Sequence, residues 1–399
     1  MTLTGIERNI RLRRFFSSYW TIGVLWALIA LFVVLGKYHG DPMRLNNFLI
    51  YRQTFYHTLE QVNLYAYYPE EYFDHNLYGP LFAIIIAPFA LLPHLAGAIA
   101  WELFLAGVMF LTIYLFPFGR QRNILIMWYV SNEIVSTLLM TQFNMVIAAL
   151  LPATYLALRR DREWLAALFI LIGAFTKIYG IVGLALFFFA RRKWNMAMWF
   201  GVWSVALFCL PMLLSSPSYI VDQYREWYLC ITDKNGINTA AASVIDLSFH
   251  QNVSFLGMVH RISGREFSDL YILIPAVILF CLPYVRIKEY RYDGFRWGFV
   301  ASALMCLVLF STSTESSGYI MALLGVAIWY WSAPWKRDGW ALFLLLFALV
   351  LGSFGHSDLM PRYLRQEFIR PYVLKALPIT LVWLQQIYEL LFKDYSVRR

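Results

Sequence analysis

The sequence predicts an all-α polytopic membrane protein, and three observations predict it. Of 399 residues, 60% are hydrophobic and 14% charged, against about 45–50% and about 25% in an ordinary globular domain. Apolar runs long enough to form crossing helices recur along the whole chain. Basic clusters punctuate those runs as positive-inside loops do. Together these features exclude a soluble enzyme, a disordered chain and a fibrous one. The net charge of +9 has the same origin, because short cytoplasmic loops collect Lys and Arg. No stretch joins a soluble fold to a basic face, so nucleic acid is not an expected partner. Four cysteines are too few for a disulfide scaffold. Cys209, Cys281 and Cys306 sit in apolar runs as small hydrophobes, and Cys230 is in a loop.

A crossing helix needs about 20 apolar residues, fewer where it is bent or broken inside protein. The expected crossings begin with Tyr19–Gly36, Leu95–Phe116, Ile124–Met140, Met145–Leu158, Trp164–Thr176 and Ile178–Ala190. Met196–Leu214, Leu270–Val285, Trp297–Ser311, Tyr319–Trp331, Trp340–Gly352 and Val373–Phe392 follow. Arg8, Arg11, Arg13 and Arg14 precede the first run and place the N-terminus in the cytoplasm. That run is long enough to stay as an anchor rather than a removable signal. The clusters Arg120/Arg122, Arg159/Arg160/Arg162, Arg191/Arg192/Lys193, Arg286/Lys288/Arg291/Arg296 and Lys336/Arg337 also fall inside, as do Lys393, Arg398 and Arg399. Of the 33 basic residues, 21 are then cytoplasmic and 11 outer, with Lys177 left within the membrane.

This alternation requires that 80–93 (PLFAIIIAPFALLP) does not cross. Three prolines in a short run fit a re-entrant or interfacial hairpin on the outer side. The expectation is therefore a single transmembrane domain, 1–399, with about twelve crossings in a plasma membrane and both termini cytoplasmic. Its outer segments are 37–79, 215–269 and 354–372, and all seven histidines fall on that side. No pair of runs repeats another in the manner of inverted-repeat transporters.

Polar chemistry concentrates at the outer side. The first outer loop holds Asp41, Glu60, Glu70, Glu71 and Asp74 among eight tyrosines from Tyr38 to Tyr78. Such carboxylates act as general bases toward an attacking hydroxyl or are plain solvated charges. The tyrosines fit either stacking on sugar faces or the interfacial aromatic belt. Lys177, in GAFTKIYG, is a sharper signal. A charge at membrane depth costs roughly 2.5–3.5 kcal/mol on insertion scales, so it usually faces a polar cavity. A lysine there holds phosphate as a point charge, unless it snorkels to the interface. Gln142 and Asn144 form the polar tip TQFN, where the plainer role is a helix cap. Glu102 and Glu133 lie in apolar runs without readable partners.

The second outer loop gathers His250, Gln251, Asn252, Ser254, His260 and Arg261; Arg261 suits a bidentate grip on phosphate or a solvated position. Glu315 stands at an outer helix end in STSTESSGY. The chain lacks H-E-x-x-H, G-x-x-x-x-G-K-[ST] and G-x-G-x-x-G, so neither metal nor cofactor is expected. It also lacks D-x-D, against a metal-chelated nucleotide sugar. The substrate should be approached from the membrane or the outer face.

The order of these features resembles glycosyltransferase family 87, membrane-embedded transferases with the GT-C fold that use polyprenol-phosphate sugars. The family's Asp-Phe-x-x-Tyr motif is matched by Asn47-Phe48-Leu49-Ile50-Tyr51, and its Leu-Tyr by Leu64-Tyr65. Its Tyr-Pro-Pro-Leu-Phe hairpin is similar to Tyr78-Gly79-Pro80-Leu81-Phe82, closed by Pro88-Phe89-Ala90-Leu91-Leu92-Pro93. The Gly-Gln-x-Asn turn resembles Thr141-Gln142-Phe143-Asn144, and the Lys-x-x-Pro tip between basic loops resembles Lys177-Ile178-Tyr179-Gly180. A later Asn-x-Ser segment is similar to Asn252-Val253-Ser254-Phe255-Leu256-Gly257 followed by Arg261. Two departures stand out. Asn47 replaces the family's Asp, the expected base, and Ser311–Tyr319 carries Glu315 where the family has a histidine.

The resemblance implies an inverting hexosyltransferase that moves a sugar, typically mannose, from a polyprenyl-phosphate carrier to a glycan or lipid acceptor. Asp74, then Glu70, Glu71 or Asp41, are the expected bases. Lys177 and Arg261 would steady the phosphate, and Asn47, Tyr51, Gln142, Asn144, Gln251, Asn252 and Glu315 would complete the substrate site. A transporter or flippase of a lipid-linked sugar is the competing class, with Lys177 as its anion site. A non-catalytic subunit of an envelope assembly is a third reading, favoured by Asn47.

Overall fold

The computed structural model describes residues 15–240, 252–265 and 267–397. The expected site residue Gln251, with His250 and the terminal arginines at 8, 11, 13, 14, 398 and 399, lies outside the described residues. Those described form helices and connecting turns, with no strand among them.

In chain order α1 is Tyr19–Tyr38, α2 Asn46–Glu60 and α3 Phe82–Ala90. Then come α4 His94–Tyr114, α5 Arg120–Leu139, α6 Asn144–Leu158 and α7 Glu163–Thr176. A 3₁₀ helix, Ile178–Phe189, precedes α8 Lys193–Cys209 and α9 Pro217–Ala240. Next are α10 Phe255–Ser263, α11 Leu270–Cys281, α12 Asp293–Leu309 and α13 Tyr319–Ser332. The chain ends with α14 Gly339–Phe347, prolonged by a π turn Ala348–Ser353, and α15 Ala376–Phe392. Among the described residues, four stretches are long and apolar enough to cross a membrane: Tyr19–Tyr38, His94–Tyr114, Lys193–Leu213 and Gly339–His356. Others, such as Asn144–Leu158 and Leu270–Val285, are apolar but shorter. The segment 80–93 holds only the nine-residue α3, with Pro88 inside it.

Burial sorts the helices into centre and rim. The antiparallel pair α12 and α13 is buried on nearly every side, as befits a core helix that is apolar all round. It packs against α5, α6 and α15, with Trp297 and Trp329 at most 1% exposed. At the rim the pattern reverses. Only Met196 and Leu207 of α8 are buried, and Trp194 is 90% exposed. On α11 only Ala276 is buried. Contiguous apolar faces of this extent are untenable in water, and hydrocarbon is their natural solvent. All four cysteines are free thiols.

Many of the charged groups that enter the bundle are paired, as an apolar surrounding requires. Arg337, read from sequence as one of many cytoplasmic charges, is buried. Its Nη1 lies 2.5 Å from Glu389 Oε1, its guanidinium 4.4 Å from the ring centroid of Trp329. Trp329 Nε1 donates to Glu389 Oε2 at 3.0 Å. This pair ties the 333–338 turn to α15. Removing one partner of a buried pair strands the other charge, at roughly 3–5 kcal/mol. Arg337→Met should therefore lower the thermal unfolding midpoint in detergent, and Arg337→Met with Glu389→Leu should recover most of the loss.

Candidate active site

Four turns meet at one end of the bundle. Helix α7 stops at Thr176, whose hydroxyl turns back to Ile172 O at 2.7 Å. Lys177 is extended (φ −147°, ψ 101°) before the 3₁₀ helix begins. Two glycines allow this tight reversal: a Cβ on Gly180 would stand 2.2 Å from the carbonyl carbon of Gly173. Gly79 closes over the tip, donating to Thr176 O at 3.0 Å. A Cβ there would lie 2.2 Å from Phe175 O. The second turn, 140–144, bends at Thr141 (φ 52°). The third is the 311–318 connection between α12 and α13, and the fourth the start of α2 at Asn46.

A continuous chain of polar contacts joins these turns. Lys177 Nζ donates to Asn144 Oδ1 at 2.8 Å, and Asn144 Nδ2 donates to Ser317 Oγ at 3.3 Å. Ser317 Oγ donates to Glu315 Oε2 at 3.5 Å, which also accepts from Gln142 Nε2 at 3.3 Å. Gln142 Oε1 accepts from Tyr78 OH at 3.2 Å, and that hydroxyl lies 3.1 Å from Tyr51 OH. Lys177 Nζ is also 5.6 Å and 5.3 Å from the ring centroids of Tyr78 and Tyr179. Asn144 does not cap its helix by its side chain; the amide bridges Lys177 to the 311–318 turn instead. Glu315 and Lys177 couple electrostatically without forming a direct ion pair.

All of these side chains except Asn144 and Ser317 line a cavity of about 1140 Å³ with two unlike ends. The polar end holds Asn47, Tyr51, Asp74, Gln142, Lys177 and Glu315, with Lys234 and Asn235 of α9. The rest is apolar. Ile178, Ile181 and Val182 of the 3₁₀ helix line it together with Leu273, Val277 and Phe280 of α11.

Most of the other expected site residues sit elsewhere. Glu71 binds His57 Nε2 at 2.9 Å and Gln53 Nε2 at 2.7 Å, holding its loop to α2. Glu70 is exposed and off the cavity. Asp41 caps the short 3₁₀ turn Pro42–Leu45 through Met43 N at 2.9 Å. Asn252, fully buried with φ 57°, accepts from Ser254 Oγ at 2.7 Å and shapes the start of α10. Arg261 is buried and donates to Arg370 O at 3.4 Å, away from the lining. Asn47 lines the cavity while its Nδ2 donates to Met140 O at 2.6 Å; a carboxylate there would set oxygen against oxygen. Tyr51, Tyr65, Tyr72 and Tyr78 are core residues, not an interfacial belt.

Several participants carry no sequence signal. Asp269 lines the cavity and is held by His260 Nε2 at 2.7 Å. Lys234 reaches the same space from a helix that reads as an ordinary polar loop segment. Glu102, singled out in the sequence for its apolar run, is fully buried but lies off the cavity.

The glycine crossing has a direct consequence. Overpacking costs about 1–3 kcal/mol, so Gly180→Ala should lower the unfolding midpoint in detergent by several degrees. Gly201→Ala on α8, where a Cβ meets nothing within 4 Å, should leave it unchanged or slightly raised.

A polar cavity opening along an apolar wall, in a helical bundle with lipid-compatible sides, can join a charged headgroup to a hydrocarbon tail. No curated protein matches the chain. The family model described as glycosyltransferase family 87 matches residues 76–312, more than half of the sequence, from the 78–82 turn to the 311–318 connection. The chain belongs to glycosyltransferase family 87 and is a membrane glycosyltransferase.

Proposed function

We propose that this transferase takes a hexose from a polyprenyl-phosphate carrier and passes it, with inversion, to a glycan or lipid acceptor. The observation that carries this reading is the two-ended cavity: Lys177 and Lys234 at the polar end, and the apolar wall between the 3₁₀ helix and α11. A phosphate suits the lysines as point charges; a polyprenyl tail suits the wall. In this reading the cavity end faces outward across a bacterial plasma membrane. Twelve crossings, cytoplasmic termini and an outer hairpin at 80–93 complete the topology.

The chemistry needs one base. Asn47 cannot serve, and of the loop-one acids only Asp74 lines the cavity. Glu315 is better placed: half-buried, coupled to Lys177, and with Oε2 taken up by Gln142 and Ser317 while Oε1 is left to accept. We assign Glu315 as general base and Asp74, at the exposed mouth, to acceptor orientation. The acceptor hydroxyl gives its proton to Glu315 as its oxygen bonds the anomeric carbon. The bond from that carbon to the phosphate oxygen breaks, and lipid phosphate leaves with the electron pair, its charge met by Lys177. Attack opposite the leaving group inverts the centre.

Incubation of purified protein with radiolabelled polyprenyl-phosphate mannose and a membrane-lipid extract tests the reading. Transfer should be lost by roughly 10²–10⁴-fold in Glu315→Gln, the span general-base catalysis supplies, with donor binding retained. Asp74→Asn should raise the acceptor KM. Undiminished transfer by Glu315→Gln removes the base assignment. Donor that binds or crosses liposomes with its sugar–phosphate bond intact favours the transporter or the non-catalytic subunit.

A further inference from the structure

Lys177 is not the deepest lysine. Lys375, which the sequence places near an outer helix end, is 1% exposed and 3.5 Å from Glu133, itself fully buried. Glu133 Oε1 accepts from Ser353 Oγ at 2.8 Å, and Ser353 Oγ accepts from Asn132 Nδ2 at 2.9 Å. Lys375 Nζ spends its remaining donors on one target, the turn that bears Glu315. It reaches Ser316 Oγ at 3.0 Å and Ser316 O at 3.3 Å, and lies 4.2 Å from the ring centroid of Tyr319. From α5, Thr137 Oγ1 donates to the next carbonyl, Ser317 O, at 3.0 Å.

A buried ion pair is a poor device for stability, since apolar side chains of similar volume often serve as well or better. The local backbone points the same way. Val373, two residues before Lys375, has φ 54°, a conformation that a β-branched residue adopts only under constraint. The chain thus accepts a strained turn and a desolvated pair at the back of 315–318.

We propose that Lys375 and Glu133 form a strut that fixes the Glu315 turn in register with Gln142 and Lys177, making Lys375 a positioning residue for transfer. The proposal rests on Glu315 acting as the base. The strut enters from α5 and the segment before α15, and none of Glu133, Lys375 and Ser316 lines the cavity. It therefore acts on Glu315 without reaching substrate.

The test compares three variants in the transfer assay, each with an unfolding midpoint in detergent. Glu133→Gln with Lys375→Met removes both charges together, so no lone charge is buried. It should fold, keep the donor KM within about twofold and lose kcat on the order of 10²-fold, as a displacement near 1 Å can cause. Ser316→Ala leaves the pair intact and removes one anchor; it should lower kcat several-fold at an unchanged midpoint. Glu315→Gln separates the two readings. If it transfers at the wild-type rate, the base assignment fails. If it is inactive while the folded double variant keeps wild-type kcat, the strut alone is overturned. Should the double variant not fold, Ser316→Ala with wild-type kcat overturns it equally.

Discussion

The structure depends on one constraint: polar groups that enter a bundle surrounded by hydrocarbon must be satisfied by one another. Lys177 enters at the tip of a helix hairpin, and everything near it answers that charge. Asn144 accepts its hydrogen bond, Tyr78 and Tyr179 present ring faces, and Glu315 supplies a balancing carboxylate at a distance. Because these partners come from its own tip and three other turns, satisfying the lysine also fixes those turns to each other. The same contacts leave a cavity rather than a packed core between them. A glycosyl donor with a charged head and an apolar tail fits both halves of that cavity, on the proposed function.

Asn47 gains a physical meaning in this setting. Its amide nitrogen is committed to Met140 O, so the residue joins the start of α2 to the 140–144 turn. An amide does this and a carboxylate does not. Where the resemblance leads one to expect an acid at 47 and a histidine in 311–319, this chain has an amide and Glu315, and both line the polar end of the cavity. On the proposed function the base then stands on the 311–318 turn rather than in the first outer loop. Three of the other loop-one acids agree: Glu71 and Asp41 are engaged in local structure, and Glu70 lies off the cavity.

Much of this was legible in the sequence because membrane insertion leaves a coarse signal. Composition and run length were enough for an all-helical membrane protein, and the position of Lys177 in a short broken hairpin marked the site. Tyr51, Gln142, Asn144, Asp74 and Glu315 were singled out and line or frame one cavity. What remained illegible was long-range pairing. Arg261 and Asn252 read as phosphate and substrate contacts because their residue types permit it, yet Arg261 is buried against the distant Arg370 carbonyl and Asn252 in the turn before α10. Lys375 reads as an outer charge at the start of the Val373–Phe392 run, because nothing local reveals that Glu133, 242 residues away, waits in α5. The tyrosines were ambiguous for a related reason: burial decides between core and belt, and burial is a property of the assembled bundle.

The central claim is that a lipid-phosphate sugar lies with its head at Lys177 and its tail between the 3₁₀ helix Ile178–Phe189 and α11. A polyprenyl-phosphate hexose carrying a diazirine in its tail, photolysed on the purified protein in nanodiscs and mapped by peptide mass spectrometry, tests this directly. The account predicts adducts on Ile178–Ala185 and Leu270–Phe280 that excess unlabelled donor abolishes. Adducts spread over the lipid-facing surface of α8 and α1, unaffected by competing donor, would contradict it.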